Sequence, residues 1–180
     1  MTPIDRQAIA DGLETCRRQL HELLASAGAA DLRRRSNGTR WTNEQLLFHM
    51  VFGFLIVRTL LPLVRVMGRL PAPVGRGFAA VLDVTRRPFH VVNYWGSRIG
   101  ARVFDAGRLG RLCDRVVARL CRSLEREPEE NLTRGMPFPT SWDPYFTAYM
   151  TRADVYRYPA LHFGHHRRQL TLPDPEEDCA

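Results

Sequence analysis

The sequence contains no lysine: all 26 of its basic residues are arginine, against 19 acidic residues. A net charge of +7 would ordinarily point to nucleic acid or an anionic membrane as a partner, because clustered cations neutralise phosphates. Exclusive use of arginine is instead typical of a GC-rich genome, and no basic-aromatic motif of a known nucleic-acid-binding module is present. We therefore expect no nucleic-acid partner.

Cysteine is scarce and has no paired spacing. There is no CxxC motif, and nothing resembling a secretory signal precedes the four residues, Cys16, Cys113, Cys121 and Cys179. We therefore expect a reduced, cytoplasmic protein, in which Cys113 and Cys121 are small core residues on one helical face.

The chain also lacks an uninterrupted apolar run long enough to cross a bilayer. A transmembrane helix needs about 20 apolar residues, whereas the most apolar stretch, residues 46–66, is interrupted by His49, Arg58, Pro62 and Arg65. Membrane association remains the weaker interpretation of this stretch. The charges favour a buried helix and no membrane partner.

What is present is ordinary globular composition. With 180 residues and 44% hydrophobic residues, the chain can enclose a hydrophobic core without disulfides or other staples. We expect a single helical domain over residues 1–180, with the acidic segment 171–180 disordered.

The first two helices are predicted from their start signals and apolar periodicity. The first is expected to start at Thr2 and Pro3 and to end near Ser26, with one apolar stripe between them. The second has the clearest start in the sequence, because Thr42 can cap it and Gln45 follows three residues later.

Two further helices follow a long crossover. Residues 71–104 give mixed signals and are expected to contain only short helical pieces. An apolar stripe over residues 109–124 predicts the third helix; arginines on its other face are solvated or bind an acidic partner. Thr151 and Asp154 form a capping box for the last helix, which Pro159 either kinks or restarts.

Histidines on the second and last helices can meet. His162 and His166 are one turn apart, so their imidazoles share a face with Gln169, whereas His165 is rotated about 100° away. His49 lies about two turns into the most apolar helix, where an unpaired imidazole is costly. Either one hydrogen bond to a backbone carbonyl or a shared metal ion would satisfy it. Three imidazoles from two helices would form a half-open coordination shell.

Two blocks of sequence resemble the DinB/YfiT-like family of helical-bundle proteins: WTNEQLLFH at residues 41–49 and HFGHHRRQL at residues 162–170. The resemblance implies an all-α, up-down-down-up four-helix bundle with a long crossover between helices 2 and 3. It also implies a divalent ion, most often zinc or nickel, held by His49, His162 and His166, and a homodimer. His165 is left out of the ligand set, and His90 in the crossover is expected to be a packed side chain.

The same resemblance suggests a reaction. Characterised relatives include thiol-dependent transferases and isomerases, which implies a thiol S-transferase with mycothiol as the co-substrate expected in a GC-rich bacterium. A bound divalent ion would deprotonate the thiol, and the crossover and the loop around Trp142 would shape the pocket for an electrophile. No second acid or base stands out, so catalytic residues remain unassigned. The alternative is a non-enzymatic, stress-associated metal-binding protein.

Overall fold

The computed structural model describes residues 4–172, and this part of the chain is mostly helical. Its helices are α1 (Arg6–Ser26), α2 (Ala29–Arg33), α3 (Asn43–Met67), α4 (Ala72–Val84), α5 (Arg86–Val103), α6 (Ala106–Glu125), α7 (Glu129–Leu132) and α8 (Arg152–Arg167). Two three-residue strands, β1 (Gly135–Pro137) and β2 (Tyr149–Thr151), pair antiparallel. The all-α prediction is confirmed, with this small unpredicted sheet added.

Helices α1, α3, α6 and α8 form a four-helix bundle, in which α1 and α3 each pack against both α6 and α8. Arg6, at the start of α1, donates to the carbonyl of Leu124 near the end of α6. His21, near the end of α1, bonds Asp114 in the first half of α6. Helices α1 and α6 therefore run in opposite directions.

Helix α3 is antiparallel to α8 and parallel to α6. His49, near the start of α3, contacts His166 near the end of α8. Arg65, near the end of α3, shares the carboxylate of Glu127, just after α6, with Arg152 at the start of α8. The order is thus up-down-down-up, as the family resemblance implied.

Helix α3 runs through the middle of the core. It is the one helix among residues 4–172 that is long and apolar enough to cross a membrane, and 56% of its apolar window is buried within the fold. A central core helix has the same length and composition. Its start is as predicted, since the Thr42 amide donates to Gln45 Oε1 at 3.4 Å.

The first helix starts later than expected. Asp5 is its N-cap and accepts a hydrogen bond from the Ala8 amide at 2.9 Å. The predicted start, Thr2 and Pro3, lies outside the described residues. The predicted end at Ser26 is confirmed.

The crossover corrects the sequence prediction, because it contains two substantial helices, α4 of 13 residues and α5 of 18. Pro73 and Pro88 lie in the first turns of these helices, where a missing amide proton costs nothing. Gly100 lets α5 approach α3, because a β-carbon there would come within 2.1 Å of the Phe48 ring. Prolines and glycines are typical of chain breaks, which is why the sequence predicts only short helical pieces here.

The last helix is continuous. Thr151 and Asp154 form the predicted capping box, and α8 passes through Pro159 without a second start. Beyond it, Thr171 donates its amide proton to Asn43 Oδ1 at 3.1 Å. The sequence predicts disorder over residues 171–180, and residues 173–180 lie outside the described residues.

Candidate metal centre

The structure brings together the three histidines singled out from the sequence. His49 Nε2 lies 3.1 Å from His166 Nε2 and 3.2 Å from His162 Nε2. One ligand atom from each residue falls within 4.8 Å of the other two, so the cluster could hold a metal ion. His49 and His162 are buried, and His166 is partly exposed.

A hydrogen-bond chain orients His49. Ser97 on α5 donates its hydroxyl proton to the backbone carbonyl of Asn93 at 2.8 Å, so its oxygen is free to accept. His49 Nδ1 lies 3.3 Å from that oxygen and donates to it. The proton of this neutral imidazole is therefore on Nδ1, and Nε2 carries a lone pair.

Gln169 fixes the tautomer of His166 in the same way. The Gln169 Oε1 atom can only accept, and it lies 2.6 Å from His166 Nδ1. His166 thus donates from Nδ1 and presents the Nε2 lone pair to the cluster. Such outer partners commonly set the orientation and basicity of metal-binding histidines.

These tautomers test whether a cation fits. The Nε2 atoms of His49 and His166 both carry lone pairs, so they cannot hydrogen-bond to each other across 3.1 Å. Nitrogens about 2.0–2.1 Å from a tetrahedral ion lie about 3.3–3.4 Å apart. The two separations from His49 Nε2 are within a few tenths of an ångström of that value, and all three ligand atoms lie within 4.8 Å of one another, so the donor set could hold a divalent ion.

Close packing places His162. A β-carbon at Gly53 of α3 would come within 2.8 Å of His162 Nδ1, so only glycine leaves room for this ring. Within residues 4–172, that Nδ1 atom is buried and has no hydrogen-bond partner. His162 is therefore held by packing, not by a second side chain.

The environment keeps the three imidazoles neutral. Burial, followed by the neighbouring His166, lowers the pKa of His49 to about 3. Burial also lowers the pKa of His162 well below its usual value, with His49 adding to the effect, and burial lowers the pKa of His166. Neutral imidazoles are the form that binds metal ions.

A cavity of about 550 Å³ opens beside this cluster. Its walls come from the loop before α3, from α5 and from the end of α8, and include Trp41, Tyr94 and His166. The indole of Trp41 stacks on the His49 ring, with centroids 4.4 Å apart and planes at 29°. The cavity therefore gives access to one side of the histidine cluster.

The remaining histidines stay outside the cluster. His165 faces Tyr145, whose hydroxyl lies 3.2 Å from its Nδ1. His90 is exposed and lines the cavity, so it is not the packed side chain that was expected. The Trp142 ring packs on the Phe89 ring, with centroids 4.2 Å apart, and does not line this cavity. Of the two segments expected to shape the pocket, only the crossover contributes to its wall.

Sequence reasoning missed Ser97, Asn93 and Gly53. Asn93 and Ser97 lie in the crossover, for which the sequence predicts only short helical pieces. Their spacing of four residues therefore did not indicate one face of a helix. Gly53 offered a signal, since glycine within a strongly apolar helix often marks close packing.

The helical bundle carries three inward-facing imidazoles on two antiparallel helices, a group that could hold a metal ion. The sequence profile of the DinB superfamily matches residues 12–170. The chain belongs to the DinB superfamily. Comparison with curated proteins and with solved structures finds no significant match.

Proposed function

We propose that this protein is a divalent-metal-dependent enzyme that transfers a small thiol of the mycothiol type to an electrophilic substrate. His49, His162 and His166 are the proposed ligands, with zinc or nickel as the ion. The observation that carries the proposal is a donor set with a cavity beside it: three imidazole nitrogens converge, and one of the three rings, His166, also lines the cavity. Three neutral ligands leave room for an exchangeable fourth.

The thiol has to come from outside the described chain. Cys16 and Cys113 are buried in the core, and burial raises the pKa of each to about 12. Cys121 is partly buried, and burial raises its pKa as well. Thiols of this kind are inert, because the thiolate is the reactive form.

The cavity is equipped to bind a polar molecule. Trp41 Nε1 and Asn93 Oδ1 are a buried donor and a buried acceptor with no partner within residues 4–172, and both residues line the cavity. Unsatisfied buried polar atoms usually find a partner in a ligand or water. Arg40 adds hydrogen-bond donors at the rim, suited to the hydroxyl and carbonyl oxygens of a mycothiol-type thiol.

A bound divalent ion would supply Lewis acidity that lowers the pKa of an adjacent thiol. The chain holds its imidazoles neutral and orients two of them through Ser97 and Gln169. In the transfer, the thiol proton passes to solvent, a carbon–sulfur bond forms, and the leaving group departs with the electron pair of its bond to that carbon.

The second candidate is a metal-binding protein without a reaction, as the sequence left open. The burial of His49 and His162, each only 4% exposed, favours it, because an ion there would tie α3 to α8. Such a tie would contribute directly to folding stability.

We also propose a cytoplasmic homodimer. Exposed apolar side chains cluster on α4 and α5 within the described residues: Val74, Val81, Val84, Val91, Val92, Trp95, Ile99 and Val103. Exposed apolar patches commonly mark protein interfaces. Sedimentation of the purified protein tests the oligomeric state.

Cobalt substitution tests the enzyme proposal. Cobalt-loaded protein should give a visible absorption spectrum that changes when mycothiol or a comparable thiol is added, and thiol conjugation to a model electrophile should require the metal. If thiol leaves the spectrum unchanged while chelation lowers the melting temperature, the metal-stabilised protein is the correct description.

A further inference from the structure

A second polar site lies at the opposite end of α8 from the histidines. Arg152, at the first position of the helix, is separated from His162 by ten residues, which is about 15 Å along the helix axis. It is 2% exposed and lines a cavity of about 110 Å³. That cavity continues into one of about 320 Å³ through the shared residues Arg65, Arg119 and Ser123.

Arginines form most of the polar wall of these joined cavities. We call them the arginine pocket, lined by Arg58, Arg65, Arg119, Arg122, Arg126 and Arg152. The side chains come from α3, from α6 with its C-cap residue Arg126, and from α8, so the pocket is built by three helices of the bundle. It is not a single charged helix face.

One carboxylate serves this cluster. Glu127 is buried and pairs with Arg152, and with Arg65 at 2.9 Å. The other four arginines make no ion pair among residues 4–172. Their combined positive charge is therefore far from neutralised locally.

Arg152 itself is incompletely satisfied. Its Nε and Nη1 atoms are buried and have no hydrogen-bond partner in the described chain. A buried guanidinium normally donates hydrogen bonds from all of its N–H groups, and leaving two of these nitrogens without an acceptor costs free energy. Burial lowers the pKa of Arg152, opposed by Glu127 and Tyr156 and reinforced by Arg65.

From this geometry we propose that the arginine pocket binds the phosphate group of a small phosphorylated molecule. The inner cavity is large enough for one tetrahedral oxyanion beside Arg152, and the outer cavity for a second phosphate among Arg119, Arg122 and Arg126. Guanidinium groups bind phosphate oxygens in bidentate fashion, which suits several arginines converging from different helices. The site is separate from the histidine cluster and goes beyond the proposed thiol chemistry.

Calorimetric titration of the full chain with inorganic phosphate and pyrophosphate tests this site. The test variant is Arg119→Gln with Arg122→Gln, both exposed, since replacing Arg152 would leave Glu127 buried and unpaired. The matched control is Arg111→Gln with Arg115→Gln, which removes the same charge from the same helix outside the pocket. A His166→Ala variant checks that the anion does not bind at the histidines.

The expected result is pyrophosphate binding that weakens by at least about tenfold in the test variant. It should change less than about twofold in the control and in His166→Ala. If the test and control variants lose equal pyrophosphate affinity, the binding reflects diffuse positive charge and not the pocket. If His166→Ala loses affinity, the anion binds at the histidine cluster instead. Absence of binding heat overturns the proposal. The proposal is also overturned if duplex DNA or anionic vesicles bind through Arg119 and Arg122 and excess pyrophosphate does not displace them.

Discussion

Gly53 of α3 lies directly against the imidazole of His162 on α8: a β-carbon at position 53 would be 2.8 Å from Nδ1 and 3.1 Å from Cε1. We predict that Gly53→Ala displaces this ring and sharply reduces metal binding. Overpacking of this kind costs about 1–3 kcal/mol, against a gain of up to about 1 kcal/mol in helix propensity. Metal content and the free energy of unfolding of the metal-free protein measure the two effects separately.

Gly164 provides the matched control. It lies on α8 between the two histidines, and a β-carbon there would meet no atom within 4 Å. Gly164→Ala should keep its metal and become more stable by about 0.4–1 kcal/mol. If Gly53→Ala binds metal as tightly as Gly164→Ala, close packing at Gly53 does not position His162.

The next prediction concerns the ligands themselves. Alanine substitution of His49, His162 or His166 should abolish binding of one divalent ion per chain, because two imidazoles alone give a much weaker site. His165→Ala and His90→Ala should retain the ion, since neither ring joins the cluster. Elemental analysis of the five purified variants decides the assignment.

Equal metal loss in His165→Ala would mean that the helix presents another face to the ion than the one proposed. Retention of the ion in His49→Ala would contradict the role of α3 in the site. Circular dichroism spectra of all five variants separate ligand loss from unfolding.

Much of this fold could be predicted from the sequence because its signals are local. Thr42 with Gln45, and Thr151 with Asp154, mark helix starts through contacts three residues apart. The histidine cluster was predicted in part because His162 and His166 share a helical face. Its joining with His49 was predicted from the cost of an unpaired imidazole in an apolar helix, and the resemblance to a known family supported it, since no local rule brings α3 and α8 together.

The crossover shows where local reasoning fails. Prolines and glycines between residues 71 and 104 suggest breaks in the chain. In the structure, Pro73 and Pro88 lie in the first turns of α4 and α5. Gly100 lies inside α5, where the absence of a side chain leaves room for the ring of Phe48. That glycine is explained only by a tertiary contact. The same failure hid Ser97, whose role depends on the His49 ring from another helix.

Loss of the outer hydrogen bonds should weaken metal binding without removing a ligand. Gln169→Ala frees His166 Nδ1 from its acceptor, and Ser97→Ala does the same for His49. Each substitution should lower metal affinity by about 10–100-fold. Competition with a chromophoric chelator measures this, with Arg168→Ala, an exposed neighbour, as control. Unchanged affinity in both variants would show that these bonds do not set the tautomers.

Acid should destabilise the metal-free protein. The pKa of His49 is lowered to about 3 in the folded state, whereas an unfolded histidine titrates near 6.5, so below that pH the unfolded state binds more protons. The stability from the neutral ring is present above about pH 6.5 and declines as the pH falls towards 3. Between pH 7.5 and 5.5, His49 alone should account for a loss of about 1 kcal/mol. His162 and His166 act in the same direction.

Urea unfolding in the presence of a chelator measures this pH dependence. Carboxylates with lowered pKa values, such as Asp114, stay ionised over the chosen range and contribute little to the difference. His49→Gln cannot titrate, so its stability should fall less than that of the parent protein between pH 7.5 and 5.5. If the parent protein and His49→Gln lose the same free energy over this range, His49 is not held neutral by burial. The hydrogen-bond chain through Ser97 would then need a different explanation.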